Sequence, residues 1–181
     1  MNEQNLTYIA NLKIKDVPWD RLSCSYGTAE LFAQILNTLA KAVKKSKFDE
    51  KELSELLDEI AAQCEYQETF WHATPFALVF LVRIYKSALG EKGETAKFIS
   101  RKLEVFFKFM LEICEKLEQL EHAKPLAKME QMLEPKYLEI CGRRCTMRTR
   151  MNGAGRTTTF SPTISFTAFI TIQTWFCRAL L

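Results

Sequence analysis

Gln67-Glu68-Thr69-Phe70-Trp71-His72-Ala73-Thr74-Pro75-Phe76-Ala77-Leu78-Val79-Phe80-Leu81-Val82-Arg83-Ile84-Tyr85 is the stretch on which the fold turns. It opens as a polar and aromatic turn and continues as a helix. Thr74 is expected to cap the first free backbone N–H groups, and Pro75 suits the first helical position, where it has no hydrogen bond to lose. From Phe76 to Tyr85 only Arg83 carries a charge. A helix without a polar face must be covered on most sides, so the rest of the ordered chain is expected to sheathe it.

The covering helices are legible on both flanks. Upstream, Thr28 reads as the cap of a helix running to about Ser46, with Leu31, Phe32, Ile35, Leu36, Leu39 and Val43 at spacings of three and four. Asp49 and Glu52 have the spacing of a capping box for the next helix, whose stripe is Leu53, Leu56, Leu57, Ile60, Ala61 and Cys64. The short connection between the two predicts an antiparallel hairpin. Downstream, Gly90 and Gly93 interrupt the chain, and a long helix is expected from Glu94 to about His122, apolar nearly all round from Leu103 to Ile113. Pro125 and Pro135 each suit the first turn of a further short helix.

No strand signal and no strict internal period stand out. The pattern predicts an all-α chain, either a stack of antiparallel helical hairpins or a compact bundle. Residues 1–27, with Pro18 and Gly27, read as an irregular lead-in with at most one short helix, held on the body by Leu12, Ile14, Val17, Trp19 and Leu22. Residues 28–140 form the helical domain.

Charge divides the chain at the same place as periodicity does. Residues 1–140 hold all 22 acids, 16 Lys and 3 Arg, a net charge of −3; residues 141–181 hold no acid, no Lys and 6 Arg. At the earlier frequency, an acid-free run of this length arises by chance on the order of once in a thousand chains. Threonine shifts too, nine in the tail against six before it. The tail is expected to be non-helical or disordered, and the abrupt break points to a frameshift near codons 139–146. If neither alternative reading frame of the coding DNA restores a Leu-, Lys- and Glu-rich helical pattern, that explanation fails.

Catalytic and ligand-binding constellations are sparse, and no catalytic, cofactor or metal site is expected. Cys141 and Cys145 lie one helical turn apart, yet zinc needs four ligands and no second pair stands near. His72 and His122 have no carboxylate or cysteine at a useful spacing. Gly153-Ala154-Gly155 lacks the Lys and the preceding strand of a phosphate loop. Arg143, Arg144, Arg148, Arg150 and Arg156 could meet phosphates, but the acidic body argues against a nucleic-acid partner. Ile164 to Phe176 is too short and too threonine-rich to span a membrane. The N-terminus has no basic stretch leading into an apolar run, and the cysteines sit mostly singly inside helical patterns. A reduced, cytoplasmic setting is therefore expected. The aromatic residues Trp19, Tyr26, Tyr66, Phe70 and Trp71 read first as a lid on the core and second as an anchor for a partner.

Two segments resemble a bacterial family of HEAT-like α-solenoid proteins. One is Val17-Pro18-Trp19-Asp20-Arg21-Leu22 with Ser25-Tyr26-Gly27-Thr28-Ala29-Glu30-Leu31; the other is Gln67 to Leu81. In the second, Gln67, Thr69, Ala73, Thr74, Ala77, Phe80 and Leu81 match the family pattern, whereas Tyr66, Glu68 and Val79 replace its His, Gly and Pro. The resemblance covers residues 15–90 by motif and reaches 140 by helix pattern. It implies a partial HEAT-like superhelix with a concave surface and no fixed chemistry, serving as a scaffold or adaptor for another protein. Trp19, Tyr26, Gln67, Thr69, Trp71 and His72 are then the candidate partner-binding or turn-motif residues. The alternatives are an accessory part of an enzyme and a nucleic-acid-binding helical repeat. A stack left uncapped after residue 140 is expected to self-associate through its exposed C-terminal end.

Overall fold

The computed structural model describes residues 3–45, 47–118, 128–135 and 138. Five α-helices lie among them: α1 (Glu3–Asn11), α2 (Phe32–Ala42), α3 (Glu50–Cys64), α4 (Thr74–Leu89) and α5 (Glu94–Glu118). Three 3₁₀ turns (Ile14–Asp16, Trp19–Arg21 and Met129–Leu133) accompany them. The described residues are mostly helical, with little strand. The readings made for residues 141–181, and for Pro125 and His122, fall outside the described residues.

Helix α4 is enclosed as its composition requires. Every residue from Thr74 to Val82 is buried, along with Ile84 and Ala88. Its single charge has a structural use, because the Arg83 guanidinium donates to the carbonyls of Leu12 (2.6 Å), Ala10 (3.1 Å) and Ile9. These are the orphan acceptors at the end of α1, so an arginine from the middle of the central helix closes the N-terminal one. Burial draws the Arg83 pKa down from its ordinary value, while the cation stacks over Phe80 at 5.2 Å. The lead-in has the one short helix its sequence allowed, nine residues long, and Ile9, Leu12, Val17, Trp19 and Leu22 are buried in the core.

Two expected helix starts are corrected. Thr28 does not cap α2; its backbone belongs to a strand pairing with Ser23, and the helix begins four residues later at Phe32 with no side-chain cap. Leu31, outside the helix, is exposed rather than part of the apolar stripe. Thr74 does not cap α4 either. It is the first helical residue, and its hydroxyl accepts from Trp71 N–H (3.1 Å) and donates to the Cys64 carbonyl (2.5 Å), tying α4 to the end of α3. Asp49 does cap α3, accepting from the N–H groups of Lys51 and Glu52.

Two antiparallel ladders precede the helix pairs: β1 (Ser23–Cys24) with β2 (Gly27–Thr28), and β3 (Glu65–Tyr66) with β4 (Thr69–Phe70). Strands of two residues are too short to leave an alternating pattern in sequence. The starts of the first ladder and its helix are evenly offset from those of the second. β1 starts at 23 and β3 at 65, β2 at 27 and β4 at 69, α2 at 32 and α4 at 74, a constant step of 42; α3 and α5 start at 50 and 94. Packing follows the same offset: α2 lies on α3 and on α4, α3 on α5, and α4 most heavily on α5. Each helix of the second pair therefore rests on its counterpart in the first. Ile35, Leu36 and Leu39 of α2 and the matching Ala77, Leu78 and Leu81 of α4 are all buried. The α4–α5 seam is closed by Tyr85 edge-on to Phe107, with ring centroids 5.5 Å apart.

Candidate functional site

The two ladders meet side by side at one end of the helix pairs. Ser25 N–H donates to the Gln63 carbonyl (3.2 Å), its hydroxyl to Ala62 O (2.7 Å), and Ala73 N–H to Ser23 O (3.1 Å). The first ladder is thereby fastened to the end of α3 and the start of α4. Beneath them, the Cys24 thiol meets Gln63 Oε1 at 3.3 Å.

The turns of the two ladders are built differently. The first relies on Gly27, whose φ of +130° is a conformation side chains rarely adopt. The second places Gln67 (φ 53°) and Glu68 (φ 59°) in left-handed backbone, as a type I′ hairpin turn requires, where Asn and Gly are the ordinary occupants. Glu68 is held there twice: its N–H donates to the Glu65 carboxylate (2.7 Å), and its own carboxylate binds Lys116 of α5 (2.5 Å). That hydrogen bond raises the pKa of Lys116.

The aromatic candidates separate into two groups. Trp19 is interior, its ring 5.6 Å from Phe32 and 6.1 Å from Phe80, with its N–H donating to Ile14 O (2.8 Å). Phe70 is buried as well. Tyr26, 72 % exposed, and Tyr66, 47 % exposed, stand edge-on to each other at 6.2 Å, one from each ladder. Trp71 is half-buried behind them. Thr69 contributes backbone to the ladder, paired with Tyr66, and Gln67 is exposed at the turn. The core-lid reading thus suits Trp19 and Phe70, while the two tyrosines form a surface. Tyr66 belongs to the aromatic cluster that the sequence offered as a lid or an anchor, whereas Glu68 was not a candidate; the two-residue spacing between Tyr66 and Thr69 is the signal that could have found it.

His72 is buried, and its Nε2 lies 2.9 Å from the Met132 carbonyl, which can only accept, so Nε2 carries the proton. Burial lowers its pKa to about 4, against a smaller upward pull from that hydrogen bond. His72 therefore fastens the 129–133 turn to the head of α4 and is neutral near pH 7. The thiol of Cys64 is also buried, and burial, then the neighbouring Cys24, pushes its pKa up. A thiol held protonated is a poor nucleophile. Among the described residues no group of His, Cys, Asp and Glu is placed to hold a metal ion. Nor, among them, is any helix long and apolar enough to cross a membrane.

No protein-family model matches the chain, and no curated protein or solved structure matches it either. Its reading therefore rests on its own geometry.

Proposed function

We propose that this chain is a non-catalytic scaffold or adaptor of the HEAT-like type, cytoplasmic, which binds another protein along the edge formed by its two ladders. The observation that carries this is the 42-residue step in ladder and helix starts, together with Tyr26 of one ladder and Tyr66 of the other standing side by side in solvent. HEAT and armadillo units recur at about 40–47 residues and stack counterpart on counterpart. An up-and-down bundle would instead be closed mainly by contacts between helices consecutive in the chain and between the first and the last. The resemblance of residues 15–140 to HEAT-like proteins points the same way.

Binding here makes and breaks no bond. Two exposed tyrosines supply rigid apolar area with hydrogen-bonding tips, and the Glu65 carboxylate next to Tyr66 favours a partner segment bearing Lys or Arg. A photo-crosslinking residue at position 26 tests the reading in cells that make the chain. A discrete protein adduct that disappears on Tyr66→Ala is expected. Adducts unchanged by that substitution, or tight salt-sensitive binding to oligonucleotides in its place, would overturn it.

A further inference from the structure

The chain has five tyrosines, and the fold brings Tyr26 and Tyr66 together in solvent, edge-on with ring centroids 6.2 Å apart. Their backbones are held in place. Ser25, beside Tyr26, is bonded through its N–H and its hydroxyl to the carbonyls of Gln63 and Ala62 at the end of α3. Tyr66 follows that same helix end and pairs with Thr69, and the turn between them is held by the Glu65 carboxylate on Glu68 N–H and by Lys116 on the Glu68 carboxylate. Tyr8 and Tyr85, by contrast, are half-buried, and Tyr85 packs its ring against Phe107.

Two accessible phenols held at this range share a reaction that an isolated phenol lacks. A one-electron oxidant takes an electron from each, the phenolic proton leaves to water, and two phenoxyl radicals remain. Their unpaired electrons join in a new carbon–carbon bond between ring positions ortho to oxygen. Each of those carbons then gives up its hydrogen as a proton to its own ring oxygen, which restores both phenols. The chain loses two hydrogens in all. One hydrogen peroxide, acting through a haem peroxidase, accepts the two electrons and two protons and becomes two waters. Exposed side chains change rotamer on the picosecond-to-nanosecond scale, so the ortho carbons can meet once the radicals have formed.

We propose that Tyr26 and Tyr66 are an oxidative cross-linking site, at which hydrogen peroxide and a haem peroxidase join the two ladders as dityrosine. The bond closes the chain between residues 26 and 66 into a loop and so restricts the unfolded state. Thiols do not reverse a carbon–carbon bond, so the cross-link persists where a disulfide would be reduced. The site holds whether or not the same edge binds another protein.

The test treats the full chain with hydrogen peroxide and a haem peroxidase under conditions that couple free tyrosine. At about 2 µM chain, coupling within one molecule runs at an effective concentration on the order of 1 mM and outpaces coupling between molecules. A monomer lighter by two hydrogens and bearing dityrosine fluorescence is expected. Its peptide map should join residues 26 and 66 at least tenfold more often than any other tyrosine pair. Tyr66→Phe, which keeps the ring and loses the phenol, should cut the monomer's dityrosine at least tenfold, whereas Tyr85→Phe should leave it unchanged. Tyrosine consumed with no dityrosine in the monomer would overturn the proposal. So would dityrosine formed only between chains, or a yield within the chain indifferent to Tyr66→Phe.

Discussion

The two ladder-and-helix segments that start 42 residues apart share a backbone plan and differ in what surrounds them. At inward positions they agree: Leu36 and Leu78, and Leu39 and Leu81, are all buried. At outward positions the same step pairs unlike residues. Gln34 is exposed where Phe76 is buried, Glu30 where His72 is buried, and Lys41 where Arg83 reaches the end of α1. The first unit has water on its outer side; the second has α1 and the 129–133 turn. A single helical plan thus yields an amphipathic α2 and a sheathed α4, depending on which neighbours remain to be packed.

The most forceful way to break this comparison is Phe76→Ala, which should cost about 4 kcal/mol through lost burial and a residual cavity. Its counterpart Gln34→Ala should stay within about 0.5 kcal/mol. Urea unfolding of both variants measures the contrast, and equal effects would mean that α4 is no more enclosed than α2. Next comes Arg83→Met, which removes charged hydrogen bonds to the carbonyls of Ile9 and Ala10 in α1 and of Leu12 just after it, and is expected to cost about 3 kcal/mol. Amide exchange should then accelerate over residues 3–11, whereas Lys41→Met should leave them protected.

A third contrast is titratable. His72 has a folded pKa of about 4 against an ordinary 6.5, so below pH 6.5 the unfolded chain takes up a proton that the folded chain refuses. The stability this provides is fully present above pH 6.5 and is lost as pH falls, by about 2 kcal/mol at pH 5 and about 3 kcal/mol near pH 4. His72→Gln should flatten the profile between pH 6.5 and 5, while Glu30→Gln should not. Smallest are the turns. Gly27→Ala should cost about 1 kcal/mol, because its φ and not a lack of space forbids a side chain, and Gln67→Gly should gain about 0.5 kcal/mol by relieving a left-handed residue. Thermal denaturation resolves both signs.

Part of this was legible beforehand. The apolar run from Phe76 to Val82 announced an enclosed helix, and Asp49 announced where α3 begins. The 42-residue offset was not legible, because it is one of placement: few identities recur across it beyond Leu36 with Leu78 and Leu39 with Leu81. Thr28 and Thr74 carry the side chain of a cap, but their bonds go to a ladder strand and to Cys64 O, destinations fixed by long-range contacts. Val105 and Phe109 looked like core yet are exposed, because composition cannot tell a covered helix from one with an open side. Among the site candidates, Tyr26 and Gln67 proved accessible, while Trp19 and His72 turned inward to partners that no local pattern names.

The grip of Arg83 on α1 has a consequence for the order of events during synthesis. The carbonyls it closes lie 71–74 residues earlier in the chain, and Asn5 accepts from Met129 N–H across 124. Contacts this remote come late, since the chain between them must first be ordered. Of the elements joined by these bonds, the one made earliest is therefore the last to be fastened down.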